Sequence, residues 1–455
     1  MSLLPSSRLL VRSSALLLLT SACGRDAGST YDDAGNGDAA AQPMDGAVAA
    51  QAGGGADGAV VYLDAGGSMD AGILRDGSVV RDAASGGAQV PSDSGAAGGG
   101  GADSASQDAA PTSPVPAIDC GFVDWNTPFP WTPTSVGMSV FQTKANSAVE
   151  RYIGSPEVID RGDLWDMFYA MSDEAKVGRI GHATSSDRGR TWTRSDALLS
   201  PYGSYASGFL DTPTALYEDG RYRVYLFGNS TANVAANPNF PTPGGQIGEV
   251  SLAGTQWSFP SPELSIPTGP KDAWDGLWVE SPVVKRVGSQ YFMWYTANDA
   301  SWTVRHGVAT SADGKTWEKF QGNPVVSPST DNTRFDSFFP GGPGVVQAPD
   351  GTFLMFFACA ARASAALPPL IANVCLATSP AGDGKTFHLV PSDTSPAPII
   401  PRSFFEGLSE GNLRVVNGPI NPSVVLDREL GVFKLYYENQ SSHIGLITLP
   451  VCQGM

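Results

Sequence analysis

Two carboxylates stand at equivalent places in the chain, Asp211 in Asp211-Thr212-Pro213 and Glu280 in Glu280-Ser281-Pro282. Each lies two residues before a proline that opens a short hydrophobic segment. A proline there reads as a strand end, where its missing N–H costs least. Carboxylates brought together from separate strands can divide acid and base work, one protonating a leaving oxygen while the other activates water or attacks. A third carboxylate, Glu157, follows Ser155-Pro156 and lies two residues beyond Ser155, which places both on one side of an extended strand. Asp272 and Asp275, in the stretch leading to Glu280, are further candidates for the base. Aromatic residues share these inter-strand stretches: Trp274, Trp278, Trp302, Phe338 and Phe339, with Tyr202 and Tyr205 earlier. Flat rings suit the C–H faces of sugars.

These residues recur because the chain repeats. Five segments pair an x-Pro-x-hydrophobic strand with a following aromatic strand: Ser155–Ile159 before Trp165–Tyr169, Thr212–Leu216 before Tyr222–Leu226, Ser281–Val284 before Tyr291–Tyr295, Gly342–Val346 before Phe353–Phe357, and Asn421–Val425 before Phe433–Tyr437. Their prolines are 57, 69, 61 and 79 residues apart, a period that suits a propeller blade with long loops. A third strand follows in each unit, and in four a turn and an aromatic-led strand at Trp192, Trp257, Trp317 and Phe387. The fifth unit lacks that outer strand, and Met138-Ser139-Val140-Phe141 is the natural donor, closing the ring without a free sheet edge. The fold class predicted is all-β, a five-bladed propeller of four-stranded antiparallel blades over residues 116–455. Ser185-Ser186-Asp187-Arg188-Gly189-Arg190-Thr191-Trp192 is an Asp-box hairpin and Ser311–Trp317 a shortened copy. Asp can bond the turn's own N–H groups while Gly takes a positive φ, so both read as structural.

On these residues the chain resembles the five-bladed glycoside hydrolases of the arabinanase, xylosidase and invertase type. Leu277-Trp278-Val279-Glu280-Ser281-Pro282 is similar to their segment bearing the general acid, and Leu210-Asp211-Thr212-Pro213 to the one whose Asp holds the sugar or tunes that acid. The resemblance implies Glu280 as acid, Asp211 as modulator or sugar ligand, and a carbohydrate substrate contacted by Trp278, Trp274, Asp275, Trp302 and Phe339. Those families place an Asp at the first repeat, where this chain has Gly154-Ser155-Pro156-Glu157. Glu157 is then the displaced catalytic carboxylate in this reading. The missing Asp also motivates an alternative, a non-catalytic carbohydrate-binding propeller. A sialidase, suggested by the Asp-boxes, needs an arginine cluster that the inner strands lack.

The N-terminus carries Arg8 and Arg12, a short apolar stretch and Thr20-Ser21-Ala22-Cys23. This resembles a bacterial lipoprotein signal over residues 1–22, with Cys23 as the lipidation site. Residues 24–115 hold thirteen Asp against three Arg among Ala, Gly and Ser. Too little apolar surface is present there for a core, so 23–115 reads as a disordered, lipid-anchored linker. Cys359 and Cys375 lie on consecutive strands while Cys120 and Cys452 bracket the domain, which predicts two disulfides and an oxidising compartment. No Cys pair has metal-ligand spacing, and His443 alone makes no site, so neither metal nor cofactor is expected. A net charge of −17 argues against nucleic acid. The expectation is an exported monomer whose lipid enters the bilayer of the outer membrane or cell surface.

Overall fold

The computed structural model describes Trp125 and residues 131–452, apart from 237–241, 261–263, 363–370, 411–412, 415–417 and 440–441. The signal, the linker, Cys23 and Cys120 lie outside the described residues.

The chain enters through β1 (Ser135–Gln142) and builds its first blade from β2 (Tyr152–Asp160), β3 (Trp165–Ser172), β4 (Gly178–Ser185) and β5 (Thr193–Arg194). The second blade comprises β6 (Phe209–Glu218), β7 (Arg221–Asn229), the short helix α1 (Thr231–Ala236), β8 (Gln246–Ala253), β9 (Gln256–Ser258) and β10 (Leu264–Ile266). The third comprises β11 (Trp278–Val287), β12 (Gln290–Asn298), β13 (Val304–Ser311) and β14 (Glu318–Lys319). The fourth comprises β15 (Pro343–Gln347), β16 (Phe353–Cys359), β17 (Asn373–Ser379) and β18 (His388–Leu389). After α2 (Arg402–Gly407) and the small ribbon of β19 (Ser409–Glu410) and β20 (Leu413–Arg414), the fifth blade runs through β21 (Ile420–Asp427), β22 (Val432–Asn439) and β23 (His443–Pro450). Its outer strand is β1, antiparallel to β23 from Ser135 opposite Thr448 to Gln142 opposite His443. The two ends of the domain thus share one blade, as the missing outer strand of the fifth repeat predicts.

The middle strands are largely apolar because both faces are covered, with Asp166, Arg223 and Lys434 among the charged interruptions. Phe168 and Ala170 of β3 pack with β7 of the second blade, while Trp165, Met167 and Tyr169 pack with Tyr436 and Ile444 of the fifth. The Asp-boxes join the blades across these seams. Asp187 Oδ1 accepts the N–H groups of Arg190 and Thr191 at 3.1 and 2.9 Å, and Gly189 turns with φ +78°. Lys434 and Tyr436 of the fifth blade donate to the carbonyls of Arg188 and Gly189 at 2.6 and 3.2 Å. Arg223 and Tyr225 of the second blade do the same to Asp313 and Gly314 at 2.9 and 2.5 Å. A third copy, degenerate in sequence, occurs in the fourth blade. There Asp383 caps the Thr386 N–H at 2.8 Å and the Gly384 carbonyl accepts from Trp294 Nε1 at 2.8 Å. Each box anchors its own blade to the preceding one.

A disulfide links Cys359 and Cys375 on β16 and β17, as expected. Cys452 is also disulfide-bonded; its expected partner, Cys120, lies outside the described residues. Among the described residues no helix is long and apolar enough to cross a membrane.

Hydrogen bonds from the hairpin N–H and hydroxyl groups hold the carboxyls of Asp187 and Asp313 down at about 2. A depressed carboxyl stabilises the fold above its unfolded value and loses that contribution as pH falls through the folded value. The double variant Asp187→Asn, Asp313→Asn should therefore melt below the wild type at neutral pH. Thermal unfolding across pH should show the gap narrowing below about 4 and gone below about 2.

Candidate functional site

The inner strands of four blades carry the same irregularity where they begin. In β2, Gly154 faces Ala170 and Glu157 faces Phe168, so two residues stand opposite one. The register slips identically between Asp211 and Thr214, Glu280 and Val283, and Ile420 and Ser423. Each bulge puts the residue before its proline at positive φ: Ser155 at 46°, Thr212 at 41°, Ser281 at 51° and Asn421 at 46°. Such backbone is costly for a side chain, most of all for β-branched Thr, and persists where surrounding contacts enforce it. A girdle of bonds across blades does so here. Asn421 Nδ2 donates to Ser155 Oγ at 3.0 Å, and Ser155 Oγ to Asp211 Oδ1 at 3.1 Å. The Ser281 N–H donates to Thr212 Oγ1 at 3.0 Å, and the Gly342 N–H to Asn421 Oδ1 at 2.6 Å. The fourth blade closes the girdle with glycine because a Cβ on Gly342 would stand 2.2 Å from Ser281 Cβ.

Asp211 and Glu280 sit directly above this girdle on adjacent blades and are buried, at 1% and 4% exposure. Asp211 Oδ1 also accepts the Thr212 N–H at 2.7 Å. Opposite Glu280 stands Thr296, and opposite Thr296 stands His306. Burial lowers the His306 imidazole to about 3, so it is neutral, and it stacks on Phe339 at 5.2 Å.

The bulge corrects the side assigned to Glu157 by simple alternation: the extra residue puts it on the face of Gly154, not of Ser155. It lies one layer below, in the narrow central channel with the ring of prolines. Thr214 Oγ1, Ser423 Oγ and Lys285 Nζ hold its carboxylate at 3.2, 3.1 and 3.3 Å.

The place above Gly154 is not vacant. Glu438, near the end of β22, lays its carboxyl there: a Cβ on Gly154 would stand 2.3 Å from Glu438 Oε2. Glu438 is completely buried. Burial first, and the Asp211 charge second, hold its carboxyl well above the ordinary range, with the Ser155 N–H pulling the other way. Two like charges this deep disfavour one another, which adds to the cost of ionising Glu438. The sequence does hold a signal for it. At the equivalent position of each middle strand stand Ala170, Phe227, Thr296, Ala358 and, in the fifth blade alone, a charged residue, Glu438.

The remaining predicted residues separate into mouth and rim. Trp278, two residues before Glu280 on β11, is buried and meets the half-exposed Trp302 edge to face at 5.0 Å. Phe339 is fully buried under His306 and Phe357. Asp275 is ion-paired at 2.6 Å with Lys319 of the outer strand β14, and Trp274 packs on Gly307 and Tyr295. Asp272 is exposed. Tyr202 and Tyr205 share a hydroxyl contact at 2.7 Å, and His443 Nδ1 meets Ser442 Oγ at 2.8 Å. No group of side chains among the described residues could hold a metal ion.

Residues 134–376 match the model of glycosyl hydrolases family 43, and the chain belongs to that family. Membership makes carbohydrate its substrate class. Asp211 and Glu280 lie inside the matched range, Glu438 beyond it. No curated protein matches the chain. Solved structures share the fold at low identity. One is Zg3597, a family 117 glycoside hydrolase from the marine bacterium Zobellia galactanivorans, with TM-score 0.50, 13% identity, and coverage of 72% of this chain and 93% of that one. Another comes from the GH130 family of mannoside phosphorylases, described as containing glycoside hydrolases that target β-1,2 mannosidic linkages in Candida mannan. It has TM-score 0.50, 15% identity, and coverage of 70% and 95%.

A carboxyl whose folded value is raised stabilises the fold below its unfolded value and loses that contribution as pH rises through the folded one. Wild-type stability should accordingly decline above about pH 4.5, and Glu438→Gln, which mimics the protonated form, should abolish that slope. Denaturant unfolding from pH 4 to 9 would measure it. Parallel curves for the two proteins would mean that Glu438 titrates normally.

Proposed function

We propose that the protein is an exported glycoside hydrolase, held to the membrane through lipid on Cys23, that cleaves O-glycosidic bonds of a polysaccharide with Glu280 as the general acid. The observation that carries this reading is that Asp211 and Glu280 head the inner strands of adjacent blades, buried at equivalent positions, with Glu438 beside Asp211 in the space that Gly154 leaves. Hydrolysis of a glycoside ordinarily takes two carboxyl groups, one donating a proton to the leaving oxygen and one acting as base or nucleophile. Glu280 occupies the third-blade entry and supplies the proton. Asp211 is the second carboxyl: its Oδ1 receives the Ser155 hydroxyl and the Thr212 N–H, contacts that suit a carboxylate. Glu438, whose carboxyl burial and the Asp211 charge hold well above the ordinary range, takes the place that a first-blade Asp would fill. Trp278 and Trp302 supply aromatic surface beside Glu280.

Gly154 favours one other reading, in which a propeller short of its first-blade carboxylate binds carbohydrate without cleaving it. Turnover separates the two. Glu280→Gln should lower kcat on unactivated glycosides by roughly two to four orders of magnitude, and less on aryl glycosides with good leaving groups, which need less protonation. Wild-type protein that binds arabinan, xylan, fructan or mannan oligosaccharides without cleaving any, indifferent to Glu280→Gln, would leave the binding reading in place.

A further inference from the structure

The buried and partly buried arginines of the seams have counter-ions. Arg161 pairs with Asp166, Arg188 with Asp427, Arg194 with Glu150 and Arg223 with Glu249, and in each the partner raises the guanidinium. Arg362 departs from this pattern. It follows β16 at the end of the fourth blade that shares the mouth with Glu280, and it is partly buried. Its backbone N–H is fixed by Ser337 Oγ at 2.8 Å, its Nη2 approaches the Trp302 carbonyl at 3.4 Å, and its guanidinium lies 5.5 Å over the Phe338 ring. No carboxylate pairs with it among the described residues.

The nearby carboxylate is already committed. Asp299 receives Arg305 Nη1 at 2.7 Å and the N–H groups of Ser301 and Thr303 at 2.9 and 3.1 Å. Two arginines therefore share one aspartate, which leaves about one positive charge on the side of the mouth that carries Trp302. Burial lowers the Arg362 guanidinium, Asp299 opposes that and Arg305 adds to it. A cation partly withdrawn from water, with no carboxylate paired to it among the described residues, in a chain of net charge −17, is a site in want of an anion. Arg suits that task because its planar fork meets a carboxylate or sulfate with two parallel bonds.

We propose that Arg362, flanked by Trp302 and Phe338, is a subsite for an anionic sugar unit, so that the glycan taken at this mouth is acidic, bearing uronate carboxylates or sulfate esters. The inference rests on the carbohydrate reading of the mouth but not on catalysis, and the test keeps the two apart. Calorimetry on the full chain at low salt would compare oligogalacturonides with their carboxyl-reduced counterparts, and sulfated with desulfated galactan oligosaccharides. One acidic member should bind at least tenfold more tightly than its neutral counterpart, and which pair shows the gap identifies the anion. Arg362→Gln should erase the preference, and Arg362→Lys, which keeps the charge and loses the fork, should restore part of it. Equal affinity within both pairs, or a preference that survives in a folded Arg362→Gln, would overturn the proposal even if the protein hydrolyses neutral glycans. A preference without hydrolysis would uphold it and count against Glu280 as an acid.

Discussion

The bulge at the head of four of the inner strands is the constraint on which the mouth depends. One extra residue, held at positive φ ahead of a proline in four blades, changes the alternation of the strand and aims two positions along one face. The first of the two reaches the mouth and the second the channel beneath it. Side-chain oxygens of the strained residues then bond from blade to blade, Asn421 to Ser155 to Asp211, so the strain that creates the geometry is opposed by the contacts that fix it. Bulges commonly sit beside functional sites because they re-aim side chains in this way.

Glycine at position 154 is the local exception with the widest consequence. Any side chain there would collide with Glu438, so absence in the first blade and presence in the fifth are one feature. The result is a carboxyl beside Asp211 that burial, and then the Asp211 charge, hold well above the ordinary carboxylate range. Glu157, the neighbour in sequence that looked like a substitute, is spent on Lys285 and on hydroxyls from the second and fifth blades. It ties together the channel.

Much of the architecture was legible because repetition survives where single motifs fade. The x-Pro strands, the aromatic middle strands and the Asp-boxes marked five blades, and the missing outer strand of the last one pointed to β1. Asp211 and Glu280 were legible for the same reason, standing at equivalent positions in the repeat. What escaped depended on geometry that a residue pattern does not encode. The bulge moved Glu157 to the face of Gly154, and Trp274 and Asp275, close to Glu280 in sequence, went to the rim where Lys319 holds Asp275. Glu438 lies 158 positions beyond Glu280, on a strand that the carboxylate-before-proline pattern never samples, and a space left by glycine brings it in.

The central claim is that Glu438 lies over Gly154 as a neutral carboxyl, beside Asp211. Infrared difference spectroscopy between the wild type and Glu438→Gln at neutral pH tests it most directly. The account predicts a protonated carboxyl C=O band in the wild type that the variant lacks. Loss of an ionised carboxylate band in its place would show that Glu438 is charged, and would contradict the account.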